Sequence, residues 1–268
     1  MTQKSDPIDE SSAPLLEHLK ELRQRIIYSL IAFFIFFCLC FFIRDFILEA
    51  LIQPYKWAIY FSGGDIADMR LQSTQVWETF VAKLKLAAFG AFIFAFPYIA
   101  FQLYSFMAPG LYKNERMAFV PFLVVAPILF LIGAAFVYFI VAPMIFWFGL
   151  SQQAMPGTDI RVSFNPKISE YFSSMMSMIL VFGIVFQLPL VTTLLVKVGL
   201  ITPKFLKDKR RWAILVSFII SAIVTPGDIL TMIALALPII LLYEISIFLA
   251  RFFVKKNAEE EQSNHDGE

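Results

Sequence analysis

Long apolar runs separated by short polar segments dominate the chain. Most of these runs approach or exceed the roughly 20 residues that a helix needs to cross a hydrocarbon core of about 30 Å. The pattern therefore predicts an all-α integral membrane protein with six transmembrane helices. We place them at residues 26–43, 84–107, 118–148, 172–198, 212–224 and 229–253.

The fifth and sixth spans are predicted to be short. Residues 212–224 number only 13 before the turn Thr225-Pro226-Gly227-Asp228, and a helix of that length reaches about 20 Å. The two spans therefore form a tight hairpin that does not cross a bilayer of full thickness. Either the membrane thins beside this hairpin, or neighbouring helices shelter its ends.

The basic residues predict the orientation. Fifteen of the 22 Lys and Arg residues fall in the segments that share one side with the N-terminus. Because basic residues accumulate in cytoplasmic segments, we predict that both termini are cytoplasmic. The resulting organisation is a cytoplasmic segment with an amphipathic helix (1–25), a six-helix membrane domain (26–254) and a disordered tail (255–268).

Composition narrows the class of protein. Of 268 residues, 59% are hydrophobic and only 16% charged, against about 25% charged in a typical soluble domain. The mean hydropathy is +0.73 and the net charge +1, so a disordered chain, a nucleic-acid binder and an ordinary cytosolic enzyme are excluded. Cys38 and Cys40 stand two apart, a helical spacing that suits neither a disulfide nor a metal site.

Catalytic motifs are absent from the sequence. It has two histidines, His18 and His265, and no phosphate-binding loop, nucleophile elbow or zinc-binding helix motif. We therefore predict no enzymatic activity, no metal and no cofactor.

Two carboxylates stand out beside the spans. Glu21 lies on the amphipathic helix, four residues before Arg25, and spacing alone allows an ordinary ion pair between them. Glu115 lies between Lys113 and Arg116 in the loop after the second span. Spacing alone favours an ion pair with Arg116 within the loop or an acid at the N-terminus of the third span.

Polar residues inside the apolar runs are the other candidates. Gln187 lies in the fourth span, and such a residue usually faces the bundle or a cavity. Glu244 lies in the sixth span and could pair with a partner subunit, pair with a basic residue of this chain, or stay protonated. Asp228 could cap the helix that follows it.

Four ordered motifs carry a resemblance to a known family. Residues 18–25 (HLKELRQR) and 106–116 (FMAPGLYKNER) are followed by 186–189 (FQLP) and 225–228 (TPGD). Together they resemble TatC, the polytopic subunit of the twin-arginine protein translocase, over nearly the whole chain. The resemblance implies a receptor and scaffold that takes part in the export of folded proteins, with the proton gradient as the energy source. It would lie in the inner membrane of a bacterium or in a thylakoid membrane.

The resemblance also assigns roles to residues. Glu21 and Glu115 would bind the two arginines of a signal peptide, with Phe106 as an apolar surface and Arg23 holding Glu21 in place. Gln187 and Glu244 would line a groove or stay within the bundle, although many relatives carry Glu at position 187 and a neutral amide cannot act as a protonation switch. Asp228 and Thr225 would serve assembly or capping. The implied partners are TatA-like and TatB-like single-span proteins, the signal peptides, further copies of this chain and the lipid bilayer.

Two other functions remain open from the residues. A secondary transporter of a small solute could use Gln187 and Glu244, but the two halves of the chain show no repeat. An intramembrane protease is disfavoured because no span contains a histidine.

Overall fold

The computed structural model describes residues 7–64, 71–107, 120–152, 166–197, 199–225 and 229–265. These residues are mostly helical. They form no β-strand beyond an isolated parallel bridge between Gln72 and Lys167. The helices are α1 (Pro7–Phe42), α2 (Arg44–Phe61), α3 (Glu78–Met107), α4 (Val120–Phe136), α5 (Ala142–Ser151), α6 (Ile168–Val185), α7 (Leu188–Lys197), α8 (Pro203–Asp208), α9 (Arg210–Val224) and α10 (Ile229–His265).

The helices confirm an all-helical protein with several membrane-length apolar segments. Within the described residues, five segments are long and apolar enough to cross a bilayer. Helix α9, with 15 residues, reaches only about 22 Å and is not among them. The prediction that the sixth span is also short is wrong, because its apolar segment Ile229–Phe252 has 24 residues and is long enough to cross. The five segments are Leu19–Phe42, Glu78–Phe106, Leu123–Ser151, Ile168–Lys197 and Ile229–Phe252.

The contacts divide the chain into two compact units. The first comprises Met1–Arg44 and Ala87–Pro127, and the second comprises Asp45–Leu86 and Ile128–Glu268. In the first unit, α1 packs against the later part of α3, where the rings of Phe36 and Phe94 stack with centroids 6.3 Å apart. Helix α1 passes without a break through position 25, the predicted limit of the N-terminal segment.

In the second unit, a proline inside α2 explains a long-range hydrogen bond. Pro54 has no N–H, so the carbonyl of Ala50, four residues earlier, loses its usual helical donor. The hydroxyl of Tyr138 donates to this carbonyl at 2.6 Å. One residue further along α2, the carbonyl of Leu51 accepts the hydroxyl of Tyr171 at 2.7 Å. Two tyrosines therefore attach α2 to the rest of the unit.

A π turn lies between α4 and α5. It covers Val137–Val141, and the N–H of Ala142 donates to the carbonyl of Val137, five residues back. Pro143 follows directly and cannot continue an α-helical bonding pattern, so the wider turn accommodates it. Tyr138 and Phe139, consecutive in the turn, both contact Trp57 of α2, with ring centroids 5.6 and 5.7 Å away.

We predict that Tyr138→Phe lowers the free energy of unfolding by about 1 kcal/mol, because it leaves the Ala50 carbonyl without its donor. In a Pro54→Ala background the loss should be smaller, since an alanine at this position would restore the helical N–H. Thermal unfolding in detergent compares the four proteins. Equal losses in both backgrounds would contradict this account of the bond.

One buried carboxylate joins the starts of α3 and α6 in the second unit. Glu78 accepts hydrogen bonds from the N–H of Thr74 at 2.6 Å and from the N–H of Gln75 at 3.2 Å. Its other oxygen accepts the hydroxyl of Ser169 at 2.5 Å. A carboxylate at a helix N-terminus also complements the helix dipole. Glu78 thus fixes where both helices begin.

The fourth predicted span is present as the membrane-length segment Ile168–Lys197, and its helix contains a break. Helix α6 ends at Val185, and the N–H of Gln187 turns back to the carbonyl of Ile184 at 2.9 Å. Pro189 follows and has no N–H to donate to the carbonyl of Val185. Gln187 therefore lies in a break between α6 and α7.

Helix α10 extends to His265 and so enters the segment 255–268, whose disorder stays a prediction. The segment 258–262 reads AEEEQ, and Ala, Glu and Gln are among the best helix formers. The polar composition that suggested disorder does not oppose helix formation.

Candidate functional site

Glu21 is held by an arginine on its own helix. In α1, the guanidinium of Arg25 donates from Nε and Nη2 to the same oxygen of Glu21, at 2.9 and 2.6 Å. The two side chains are 24% and 33% exposed, for Arg25 and Glu21 in that order. The i,i+4 ion pair that the spacing allowed is therefore present.

A buried amide on α3 anchors the same guanidinium. The Nη1 of Arg25 donates to the side-chain oxygen of Gln102 at 3.3 Å, and Gln102 is only 7% exposed. Because a buried amide oxygen needs a donor, this contact satisfies Gln102 and fixes the guanidinium from a second side. Arg25 thus links α1 to α3 within the first unit.

An apolar cavity of about 440 Å³ lies beside this pair. Phe106 and Arg25 both line it, and Phe106 is half-buried. Its other walls come from one face of α1 and one face of α3. They are formed by Leu22, Ile26, Ser29, Leu30, Phe33, Ile99, Gln102 and Leu103.

The structure brings together some of the predicted site residues and leaves others apart. Glu21 and Phe106 lie in the first unit with the cavity. Arg23 has an exposed side chain, and Glu21 forms its ion pair with Arg25, two residues further on. Glu115 lies outside the described residues, as does Asp228, so their places in the site remain predictions.

Glu244 pairs with a basic residue of its own chain, which is one of the three alternatives that the sequence left open. The Nη2 of Arg210, at the start of α9, donates to the Glu244 carboxylate at 2.5 Å. The preceding residue, Tyr243, donates its hydroxyl to the carbonyl of Leu206 at 2.6 Å. These bonds fasten α10 to α8 and α9 beside a small apolar cluster of Val196, Leu206, Ile247 and Ala250.

Thr225 closes α9. Its N–H and its hydroxyl both donate to the carbonyl of Ser221, at 2.9 and 3.0 Å. Serines at 217 and 221 make similar bonds further back, Ser217 to the carbonyl of Ala213 and Ser221 to that of Ser217. A capping role for Thr225 is therefore supported by its geometry.

Sequence reasoning missed Gln102, and it weighed Arg25 only as an ordinary helix partner. Gln102 lies in an apolar run and offers no motif of its own. The one signal in the sequence was that Gln102 is a polar residue inside a membrane-length segment. Such a residue usually pairs with another polar group. Its partner, Arg25, lies 77 positions away in sequence.

The comparisons with known proteins agree with one another. The family model described as "Sec-independent protein translocase protein (TatC)" matches residues 17–238. A TatC protein of Halothiobacillus neapolitanus is 40% identical over 94% of this chain and 66% of its own length. A TatC protein of Escherichia coli K12 is 35% identical over 94% of each chain.

A solved structure is similar in fold. The crystal structure of a twin-arginine translocase receptor, TatC, superposes with a TM-score of 0.76 and 35% identity. The match covers 88% of this chain and 98% of the solved one.

Proposed function

The chain belongs to the TatC family of Sec-independent protein translocase proteins, and from this premise we propose that Glu21 and Glu115 bind the two arginines of a twin-arginine signal peptide. The protein is a non-enzymatic, multi-pass subunit of the translocase in the bacterial inner membrane. The signal peptide would belong to a folded cargo protein.

The observation that carries this proposal is that Arg25, the ion-pair partner of Glu21, lines an apolar cavity. A guanidinium binds a carboxylate in a planar fork that a lysine cannot reproduce, and Glu21 already accepts two N–H groups of the Arg25 guanidinium. The apolar walls of the cavity, including Phe106, suit the hydrophobic residues that follow the arginine pair in a signal peptide. Charge and apolar surface are therefore adjacent.

We infer six spans with both termini cytoplasmic, and α9 is the fifth of them in chain order. This topology places Glu21 and Glu115 on the side where a precursor arrives. It rests on the distribution of Lys and Arg and on the apolar character of α9, where Trp212, Leu215 and Ile223 are exposed.

For the partners, we infer TatA-like and TatB-like single-span proteins, further copies of this chain, and the proton gradient as the energy source. Because Arg210 neutralises the charge of Glu244, we infer that this carboxylate serves to hold α9 against α10. Gln187, at the break between α6 and α7, is a candidate for lining the groove along which a signal peptide inserts. Asp228 and Thr225 flank the turn where a partner helix would approach.

Photocrosslinking tests the receptor function directly. A photoreactive amino acid at Lys20 or Asn114, beside Glu21 and Glu115, should crosslink to a bound twin-arginine precursor. A precursor with two lysines in place of the arginines is the control and should not crosslink. Crosslinks to neither position, with precursor bound elsewhere, would contradict the proposal; selective labelling by small solutes would favour a transporter.

We predict that Glu115→Gln weakens the binding of a twin-arginine precursor by about 1.5–3 kcal/mol, the range for a hydrogen bond to a charged group. The substitution keeps the size of the side chain and removes only its charge. The dissociation constant in detergent measures the effect. Glu49→Gln, at an exposed carboxylate of α2, is the matched control and should leave binding unchanged; an unchanged affinity in Glu115→Gln would remove this residue from the site.

A further inference from the structure

We propose that Arg25 is a built-in competitor for Glu21, so that signal-peptide binding exchanges one arginine for another at the same carboxylate. The inference rests on the proposed function, which makes Glu21 an acceptor for the peptide. It adds a residue that sets the strength and the reversibility of binding.

The geometry of the pair supports competition. Two N–H groups of Arg25 converge on one oxygen of Glu21, at 2.9 and 2.6 Å, which is the kind of charge-assisted contact that a peptide arginine would make. A second guanidinium cannot occupy the same donor positions around that oxygen. The arriving arginine can therefore form a fork with both oxygens of Glu21 only if it displaces Arg25, and otherwise it is limited to the second oxygen.

The second anchor of Arg25 keeps the competitor close after displacement. Its Nη1 also donates to the side-chain oxygen of Gln102 at 3.3 Å. When a peptide arginine takes Glu21, Arg25 can stay attached to α3 beside it. From there it can recapture Glu21 as soon as the peptide arginine lets go, which shortens the lifetime of the complex.

This exchange has a consequence for salt dependence. Forming a new ion pair makes binding sensitive to ionic strength, because salt screens the gain. In the parent protein one ion pair at Glu21 replaces another, so Glu21 adds little to the dependence of peptide binding on ionic strength. Without Arg25, the peptide would form a new pair, and the dependence on salt would become steeper.

The opposite role for Arg25 gives the opposite result. If Arg25 only held Glu21 in a productive orientation, removing it would weaken peptide binding. Competition predicts that removing it strengthens binding. The sign of the change therefore separates the two roles.

The experiment measures binding of a fluorescent twin-arginine signal peptide to the full chain in detergent. For Arg25→Gln we expect a dissociation constant about threefold to tenfold lower, the equivalent of losing one partly exposed competing contact. The dissociation rate should fall, and the dissociation constant should rise more steeply with salt than in the parent. Arg25→Lys should also tighten binding, by less, because it keeps the charge and loses the fork.

Two controls separate competition from general repulsion of a cationic peptide. Lys20→Gln removes the same charge from the neighbouring surface of α1 and should change the dissociation constant by less than about twofold, as expected for an exposed charge. Gln102→Leu removes the second anchor and should tighten binding slightly. Weaker or unchanged binding in Arg25→Gln, or equal tightening in Lys20→Gln, would overturn the proposal.

Glu21→Gln distinguishes failure of this inference from failure of the proposed function. It should weaken binding, and in its presence Arg25→Gln should no longer tighten binding, as in a double-mutant cycle between coupled groups. If Glu21→Gln leaves the affinity unchanged, Glu21 is not the receptor carboxylate and both proposals fail. If Glu21→Gln weakens binding while Arg25→Gln does not strengthen it, only the competition fails.

Discussion

Replacing Gly133 by alanine is expected to destabilise the folded protein by about 1–3 kcal/mol, as overpacking of a close contact does, and leucine is expected to prevent folded protein from accumulating. In the second unit, a Cβ at position 133 would lie 2.8 Å from the backbone oxygen of Phe182 and 2.9 Å from the Phe186 ring. Small residues let membrane helices approach this closely. The free energy of unfolding, measured by thermal unfolding in detergent, checks the loss.

A matched glycine on the facing helix tests the physical reason. A Cβ at Gly183 would collide with the ring of Phe130, a side chain that can be shortened. We therefore expect Phe130→Leu to recover part of the stability lost in Gly183→Ala. Shortening Phe186 should not rescue Gly133→Ala to the same degree, because the Phe182 carbonyl remains in place. Equal rescue at both sites would show that backbone contact is not the limiting obstacle.

The sequence predicted the helices well where the physics is local. Apolar runs of membrane length translate directly into helices, because a backbone without water must satisfy its own hydrogen bonds. The short length of α9 could also be predicted from the sequence, because basic residues precede Trp212 and a turn follows Val224. Even the pairing of Glu21 with Arg25 was among the possibilities that the sequence offered, because the two residues have i,i+4 spacing.

The remaining features depend on residues far apart in the chain. The partner of Gln102 is 77 positions away, and the Ala50 carbonyl freed by Pro54 finds its donor at Tyr138, 88 positions away. Periodicity describes which face of a helix is apolar, but it does not say which helix that face meets. For the same reason the sequence shows a glycine at 133 without showing that a backbone carbonyl lies against it.

Lengthening α9 is expected to abolish transport while leaving precursor binding intact. Five apolar residues inserted after Ile219 would give about 20 residues and a length near 30 Å, enough to cross a full bilayer. If the short helix thins the membrane locally or presents a docking edge for a partner, either feature is lost. Precursor binding should persist, because Glu21 and Glu115 lie far from α9 in the sequence. Transport into inverted membrane vesicles measures the result.

An insertion changes both the length of α9 and the direction in which its side chains point. The two effects have to be separated, since α9 buries Ser217, Ser221 and Val224 along one side. Five residues turn the end of the helix by roughly 500°, about 140° beyond a full turn, and would move Ser221 and Val224 out of contact. Seven residues turn it by roughly 700°, within about 20° of two full turns, so they add length while keeping these residues on the buried side. We expect transport to be lost in both variants. Transport at the parental rate in the seven-residue variant would show that the shortness of α9 has no part in the mechanism, and the thinning argument would then be abandoned.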